Sequence, residues 1–296
     1  MTAPMLSESD LGALYGNYYP RKQASVADIR REAQKAVSRF ARLRRWWMGT
    51  SNQGQYLVQR GECILDIGCG AGLSMMEAKA FGARVFGVEA DPNVRRLANA
   101  LGLDIHIGSL MDVPFPGEKF DLVVLNQVIE HVPAPDRLLL HLHQRLRPGG
   151  RIVLVFPNIR SVWCRLFGTR WINWHIPYHL HHFSRSRFVR MAERCGYRVR
   201  RAQSITPNLW TFLQFRTLAY APQRGIPSPF WRYSQNEVEP SNDHLQKFPL
   251  QAGVVRLALR AVYLVLMLPI GLVNRIVDLF GFGDSLMVEI VPQENV

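Results

Sequence analysis

The sequence predicts an α/β fold, a seven-stranded and mostly parallel sheet with helices on both faces. Three observations lead to it. Short β-rich runs alternate with helical stretches from residue 61 to about 200, the pattern of strand–helix–strand crossovers. The first run, Cys63–Ile67, is apolar apart from Asp66 and enters a glycine-rich turn. A last strand-like run, Ser285–Val291, stands apart behind a long stretch of different composition.

Taken in order, the strand candidates are Cys63–Ile67, Arg84–Val88, Asp104–His106, Phe120–Leu125, Arg151–Phe156, residues 197–205 and Ser285–Val291. Helical stretches fall near 73–81, 92–101, 135–146 and 184–195. The last has Ser184 or Ser186 as its N-cap and Gly196 as its stop. Ahead of the core, residues 21–45 are rich in Arg and Lys, with Ile29, Ala33, Ala36, Phe40, Leu43 and Trp47 at three- and four-residue steps. That spacing predicts one basic amphipathic helix. Residues 206–250 are rich in Pro, aromatics and Gln and read as irregular loop with short helices. The thirteen residues Ala261–Val273 are apolar but contain Pro269 and Gly271. A membrane-spanning helix needs roughly 20 apolar residues, so this run reads as a buried or interfacial helix. The organisation expected is a helical lid segment (1–60), a core (61–205), an apolar and aromatic insertion (206–282), and a last strand with tail (283–296).

The chain has 296 residues, 48% hydrophobic and 20% charged, which argues against wholesale disorder and against a disulfide-stapled mini-protein. Cys63, Cys69, Cys164 and Cys195 form no CxxC pair, which argues against a zinc ribbon. Two of them border a buried strand, the expectation for reduced thiols in a cytoplasm. The first fifteen residues lack a basic segment followed by an apolar run, so no signal peptide is read. Net charge is +13, from 36 Lys+Arg against 23 Asp+Glu. That balance suits nucleic acid, an anionic membrane surface or a phosphorylated substrate and does not choose among them.

The sharpest local signal is Ile64-Leu65-Asp66-Ile67-Gly68-Cys69-Gly70-Ala71-Gly72. Glycines let the backbone pass close to a ligand where a Cβ would clash. Seventeen residues after Gly72 the second strand ends in Val88-Glu89-Ala90-Asp91, where a carboxylate can accept from both hydroxyls of a ribose. The glycine spacing is G-x-G-x-G rather than the G-x-G-x-x-G of nicotinamide enzymes. Asp66, two residues before the first glycine, would repel a pyrophosphate but suits a cationic amino-acid group. Both points favour S-adenosylmethionine (SAM).

With these residues in view, the chain resembles the class I SAM-dependent methyltransferases, which have a Rossmann-like fold. Residues Phe120–Val132, ending Asn126-Gln127-Val128-Ile129-Glu130-His131-Val132, resemble the fourth strand and following turn of that family. Leu146-Arg147-Pro148-Gly149-Gly150 resembles the turn before its fifth strand. The stretch Trp174–Ser184 resembles that of the branch containing ubiquinone-biosynthesis O-methyltransferases and many glycan or lipid methyltransferases. The resemblance covers roughly residues 60–205 and the last strand.

It implies that Gly68, Cys69, Gly70 and Gly72 line the methionine and ribose portion, and that Asp66 receives the amino group. Glu89 would hold the ribose hydroxyls with Ala90 beside the adenine. Ser109 and Leu110 would sit at the adenine edge. Many relatives carry Asp where Ser109 stands, and Asp112 is the alternative acceptor. Asn126 and Gln127 would lie under the methionine.

Methyl transfer needs alignment, exclusion of water and often removal of a proton, for which His is the natural base. Seven of the nine His lie between 131 and 182. His141 and His143 read as surface residues of a helix. His179 is the preferred base because it matches the recurrent His of the branch, followed by His182 and His131. His175, His179 and His182 have spacings compatible with zinc, but no nearby Cys or carboxylate completes a site, so no metal is expected. Trp163, Trp171 and Trp174 read as core or pocket wall.

The expected activity is methyl transfer to an oxygen of a small-molecule, glycan or lipid-linked acceptor. The basic helix and the apolar insertion suggest peripheral contact with an anionic membrane, at its inner face for a cytoplasmic protein. The alternatives are an RNA methyltransferase, for which no RNA-binding module is found, and a non-catalytic SAM-binding subunit.

Overall fold

The computed structural model describes residues 25–51, 53–218, 265 and 267–293. Residues 1–24, with the basic Arg21 and Lys22, and residues 219–264 of the insertion lie outside the described residues.

The chain opens with two helices, α1 (Val26–Ala36) and α2 (Ala41–Met48). The single helix expected across this segment is therefore broken, at residues 37–40. Ser38 Oγ donates to Lys35 O at 2.8 Å, a local bond that competes with continued helix. The break divides the expected apolar face. Ile29, Ala33 and Ala36 are buried, whereas Phe40 and Leu43 point to solvent, 69% and 63% exposed. Heptad-like spacing could not reveal this, because it assumes an unbroken axis.

The core follows as β1 (Cys63–Ile67), α3 (Leu73–Ala80), β2 (Arg84–Glu89), α4 (Arg95–Leu101), β3 (Asp104–Ile107) and β4 (Phe120–Asn126). Then come α5 (Pro135–Arg145), β5 (Leu146–Pro157), α6 (Val162–Phe167), α7 (Arg185–Arg194), β6 (Tyr197–Ile205) and α8 (Asn208–Leu218). A helix at residues 267–279, α9, precedes β7 (Ser285–Pro292). The sheet runs β3-β2-β1-β4-β5-β7-β6. The pairs β3–β2, β2–β1, β1–β4 and β4–β5 are parallel, and β7 is antiparallel to both β5 and β6.

Every residue of β1 is buried, as expected for a central strand covered on both faces. Successive side chains serve opposite faces. Ile64, Leu122 and Val124 join the layer with Ile29 of α1 and Met75 of α3. Leu65, Val123 and Leu125 join the layer with Leu138 of α5 and Phe188 of α7. β5 starts five residues earlier than expected, because Leu146 pairs with Phe120 before a register shift brings Arg151 opposite Leu122.

The described parts of the insertion are bound to the N-terminal helices by polar contacts as well as apolar ones. Asn208 Nδ2 donates to Trp47 O at 2.9 Å, and Arg275 donates to Trp46 O and Thr206 O. A Cβ at Gly271 would stand 2.7 Å from the Trp47 ring, so α9 and α2 touch closely there. Buried Asn274 accepts from Trp163 Nε1 and Thr211 Oγ1, each at 3.1 Å. Among the described residues no helix is long and apolar enough to cross a membrane.

Candidate active site at the carboxyl edge of the sheet

The parallel strands all end at one edge, where ligands bind in open α/β sheets. There β1 runs into Gly68, Gly70 and Gly72, with φ of +69°, +53° and +82°. The three glycines serve different ends. A Cβ on Gly68 would lie 2.5 Å from Val128 Cγ2, and one on Gly72 would collide with Leu103. These two are needed for the chain to pack on itself. A Cβ on Gly70 would meet no atom within 4 Å, so the middle glycine faces open space. Cys69 is buried with its sulfur toward Gly87, whose Cβ would lie 2.7 Å from it. Cys69 therefore offers a ligand only its backbone.

Glu89, at the end of β2, fixes this loop. Its carboxylate accepts from Gly70 N at 2.7 Å and from Asp91 N at 2.9 Å. Burial pushes its pKa above the ordinary carboxylate value. Asp66 is buried beside the loop and accepts from the Ser74 hydroxyl. Burial pushes Asp66 up to about 7, a shift opposed by Ser74 and increased by the charges of Glu89 and Glu77. A buried carboxyl, Asp66, a half-buried one, Glu89, and an open glycine cradle fit a ligand with a cationic head and a neutral sugar. They do not fit a pyrophosphate. That is the donor and charge pattern of SAM.

The remaining cofactor residues expected from the sequence sit on the adjoining loops. Ala90 and Ser109 are exposed, Ser109 Oγ accepting from Met111 N at 3.2 Å. Leu110 is half-buried against the core, and Asp112 is exposed with its N–H on Ser109 O at 3.0 Å. At the end of β4, Gln127 has φ +56° and gives its N–H to Val155 O at 2.7 Å. A non-glycine residue in the left-handed region costs about 1–3 kcal/mol and is held there by its surroundings.

Asn126 is engaged by residues that sequence reasoning missed. Its Nδ2 donates to Gln55 Oε1 at 2.7 Å, and its Oδ1 accepts from Gly54 N at 3.2 Å. Gln55 also donates to Glu77 at 3.0 Å, and Tyr56 OH donates to the same carboxylate at 2.9 Å. The guanidinium of Arg45 lies 4.3 Å over the Tyr56 ring. The N-terminal segment is thus hydrogen-bonded onto the cofactor edge. The available signal was Glu77, a carboxylate on the buried face of α3.

The second half of the site follows β4 and β5. Val128, which packs against Gly68, lies three residues before His131, so the turn after β4 links the glycine loop to the histidine cluster. His131 and His179 rings stand 4.6 Å apart, His175 and His179 5.0 Å, and His179 and His182 6.3 Å. His131 Nδ1 lies 3.0 Å from Tyr178 O, and His179 Nδ1 lies 2.7 Å from Asn173 O. A carbonyl only accepts, so each Nδ1 carries the proton and each ring presents Nε2 as a base. Burial pushes His131 down to about 3, His175 to about 4 and His179 to about 2, the neighbouring imidazoles adding to the shifts of His131 and His179. His182 Nε2 donates to Trp174 O at 3.2 Å, and burial lowers the pKa of the ring. His141 is exposed as expected, but His143 is half-buried with its ring 5.2 Å from Tyr197.

Glu130 is fully buried among these groups, and neither carboxyl oxygen has a hydrogen-bond partner among the described residues. Burial raises it to about 8. Glu130, His131 and His179 offer ligand atoms all within 4.8 Å of one another, and among the described residues they are the group that could hold a metal ion. The sequence reading weighed His175, His179 and His182 and found no carboxylate to complete them; folding brings Glu130 beside His179.

Asp284 is the other residue that sequence reasoning missed. It is buried just before β7 and accepts from Ser161 Oγ at 3.0 Å, Trp171 Nε1 at 2.8 Å and Asn173 Nδ2 at 2.7 Å. Burial lifts it to about 6. It fixes Asn173, whose carbonyl orients His179. Trp163 and Trp171 are buried and Trp174 half-buried, as expected of core or wall.

Comparison with known proteins agrees with this geometry. A family model described as a methyltransferase domain matches residues 27–202, more than half of the chain. A ubiquinone biosynthesis O-methyltransferase of Cereibacter sphaeroides is 34% identical over 134 residues, which cover 43% of this chain and 54% of that enzyme. A 2-phytyl-1,4-naphtoquinone methyltransferase of Synechococcus elongatus is 33% identical over 106 residues, 32% of this chain and 46% of that enzyme. The chain thus spans about half the length of these curated relatives. A phosphoethanolamine N-methyltransferase 2 of Haemonchus contortus, solved with S-adenosyl-L-methionine, superposes with a TM-score of 0.52 at 16% identity, covering 99% of this chain and 62% of that one. That likeness is one of fold. The chain belongs to the methyltransferase-domain family, with S-adenosylmethionine as its cofactor.

Proposed function

We propose that the protein transfers a methyl group from SAM to an oxygen of a small, lipophilic or lipid-linked acceptor. The observation that carries this reading is the shared boundary between two parts of the site. Val128 packs on Gly68 of the cofactor loop and leads directly into Glu130 and His131. The cofactor supplies an activated methyl group on a sulfonium centre.

The chain's own residues supply the rest. Gly68, Cys69, Gly70 and Gly72 shape the cradle, Asp66 takes the ammonium group, and Glu89 takes the ribose hydroxyls. Ala90, Ser109 and Leu110 flank the adenine, and Asn126 and Gln127 close the floor. His179 is the proposed base, with His182 and His131 behind it. Buried and neutral, His179 keeps its Nε2 lone pair unprotonated across the physiological range, while the same burial disfavours the imidazolium and calls for a partner to stabilise it. Glu130, which burial keeps protonated at neutral pH, would favour the imidazolium only by giving up its own proton.

An oxygen acceptor is preferred because a neutral imidazole suits a hydroxyl, and because the similar Cereibacter enzyme is named an O-methyltransferase. The lipophilic character rests on the apolar surface of α2 and α9 beside the site. The same reading places the protein in the cytoplasm, in peripheral contact with an anionic membrane.

The test uses methyl-labelled SAM, the purified chain and a lysate of the source cells, with products split between organic solvent and water. Protein-dependent label in the organic phase is expected. Label found only in water-soluble or RNA material would remove the lipophilic acceptor, and no transfer at all would remove the activity.

A further inference from the structure

Apart from the glycine loop, a cleft of about 1330 Å³ opens between α7, the outer edge of β6 and α9. No residue of the cofactor loop lines it. Its walls carry Arg160, Arg185, Arg190 and Arg201. Among the described residues, the one acidic residue lining it is Asp278, which is paired with Arg275 at 2.9 Å and accepts from Thr206. Among the described residues, Arg160, Arg185 and Arg190 form no ion pair, and Arg201 donates to the Gln203 amide oxygen at 2.8 Å. The cleft is therefore an unneutralised cationic surface.

Its mouth is apolar. Leu279 is 84% exposed, Phe280 72% and Trp46 51%. The stripe continues back along α9 through Ile276, Leu272 and Leu268, all largely exposed and spaced by three or four residues on one helical face. Charge and apolar surface thus adjoin on one side of the molecule. A nucleic acid would engage the arginines but leave the aliphatic stripe in water. The interface of an anionic bilayer takes both, the guanidinium groups at the phosphodiesters and the aliphatic side chains in the acyl layer.

We propose that this face docks on an anionic phospholipid bilayer, with Arg160, Arg190 and Arg201 at the headgroups and Leu279 and Phe280 inserted below them. The proposal rests on the reading of a lipophilic acceptor and gives it a geometry. Asn158 and Ser184 line the cleft and lie at the carboxyl edge of the sheet, and the loop that carries Phe282 leads straight to Asp284. Asp284 fixes Asn173, which orients His179. Docking would bring a membrane-held acceptor to the carboxyl edge of the sheet, the edge from which the histidine cluster also arises.

The test is flotation of the full chain with vesicles of phosphatidylcholine alone or mixed with phosphatidylglycerol. Two variants accompany it, R160Q/R190Q/R201Q and L279S/F280S, with SAM affinity by calorimetry as the check on folding. Wild-type protein is expected to float with the anionic vesicles only, and less so as salt rises. Loss of three arginines should lower partitioning roughly a hundredfold. The apolar variant should lower it about tenfold or more. Equal binding to neutral vesicles, no flotation, or unchanged flotation in both variants overturns the proposal. So does competition by RNA that L279S/F280S leaves untouched, which would make the face a nucleic-acid surface. Failed flotation with label still entering a lipophilic product would sink the docking and leave the enzymatic reading standing; flotation without such product does the reverse.

Discussion

The cofactor half and the histidine half of the site meet at Val128 yet are built on different principles. The cofactor half is local. Residues 66–72 supply a turn, three positive-φ glycines and a carboxylate, and one side chain from the next strand, Glu89, holds the loop through backbone N–H groups. The histidine half is assembled from distant parts. Asp284 reaches Asn173 across 111 positions, and His131 contacts the Tyr178 carbonyl across 47. A half made of backbone geometry is tolerant of what surrounds it. A half made of side chains held by one buried carboxylate depends on every partner. The difference accords with a constant cofactor and a variable acceptor.

That contrast can be broken, starting with the largest effect. His179→Ala should lower turnover about 10²–10⁴-fold while SAM affinity, read by calorimetry, stays within twofold or so. Full activity would remove His179 as the base. Glu89→Ala should weaken SAM binding roughly ten- to hundredfold, since it removes a charged acceptor from both the loop and the ribose. An unchanged affinity would misplace the ribose.

Asp284→Ala leaves three buried donors without their acceptor and should cost about 1–3 kcal/mol in denaturant unfolding. Turnover should fall further than SAM affinity. Equal losses in both would show that the two halves are one unit.

The smallest effect concerns pH. Burial lifts Glu130 to about 8 from an unfolded value of about 4.3, so the native state holds its proton longer than the unfolded chain does. An acid shifted this way loses stability as pH rises toward its folded value. The histidines act oppositely, but only below about 6.5, because their folded values are depressed. The melting temperature should therefore decline between about pH 6.5 and 8.5, and Glu130→Gln should flatten that decline. A Gln variant with the wild-type slope would assign the titration elsewhere.

How legible each half was follows from the same contrast. The glycine loop, Glu89 and the positions of the strands could be read because their meaning lies within a few adjacent residues. The seven strands appear where the β-rich runs are, and the antiparallel last strand is the one that composition set apart. Asp284 drew no attention, since a carboxylate before a strand is ordinary until Ser161, Trp171 and Asn173 are brought to it. Glu130 was read only as part of a turn, and its buried, unpartnered oxygens are a property of packing. The helical break at residues 37–40 was invisible for another reason. Phe40 and Leu43 keep the right spacing, and only the lost axis turns them outward.

The position of β7 bears on how the protein is made. β7, made after both β5 and β6, is inserted between them. Until residues 285–292 are synthesised, both neighbours present bare edges and α2 lacks Arg275, 229 positions downstream. Nascent chains with open strand edges are prone to misassociation, and pairings this far apart in sequence form slowly. A nascent chain halted before residue 285 is therefore expected to associate with chaperones more than one extended past residue 292.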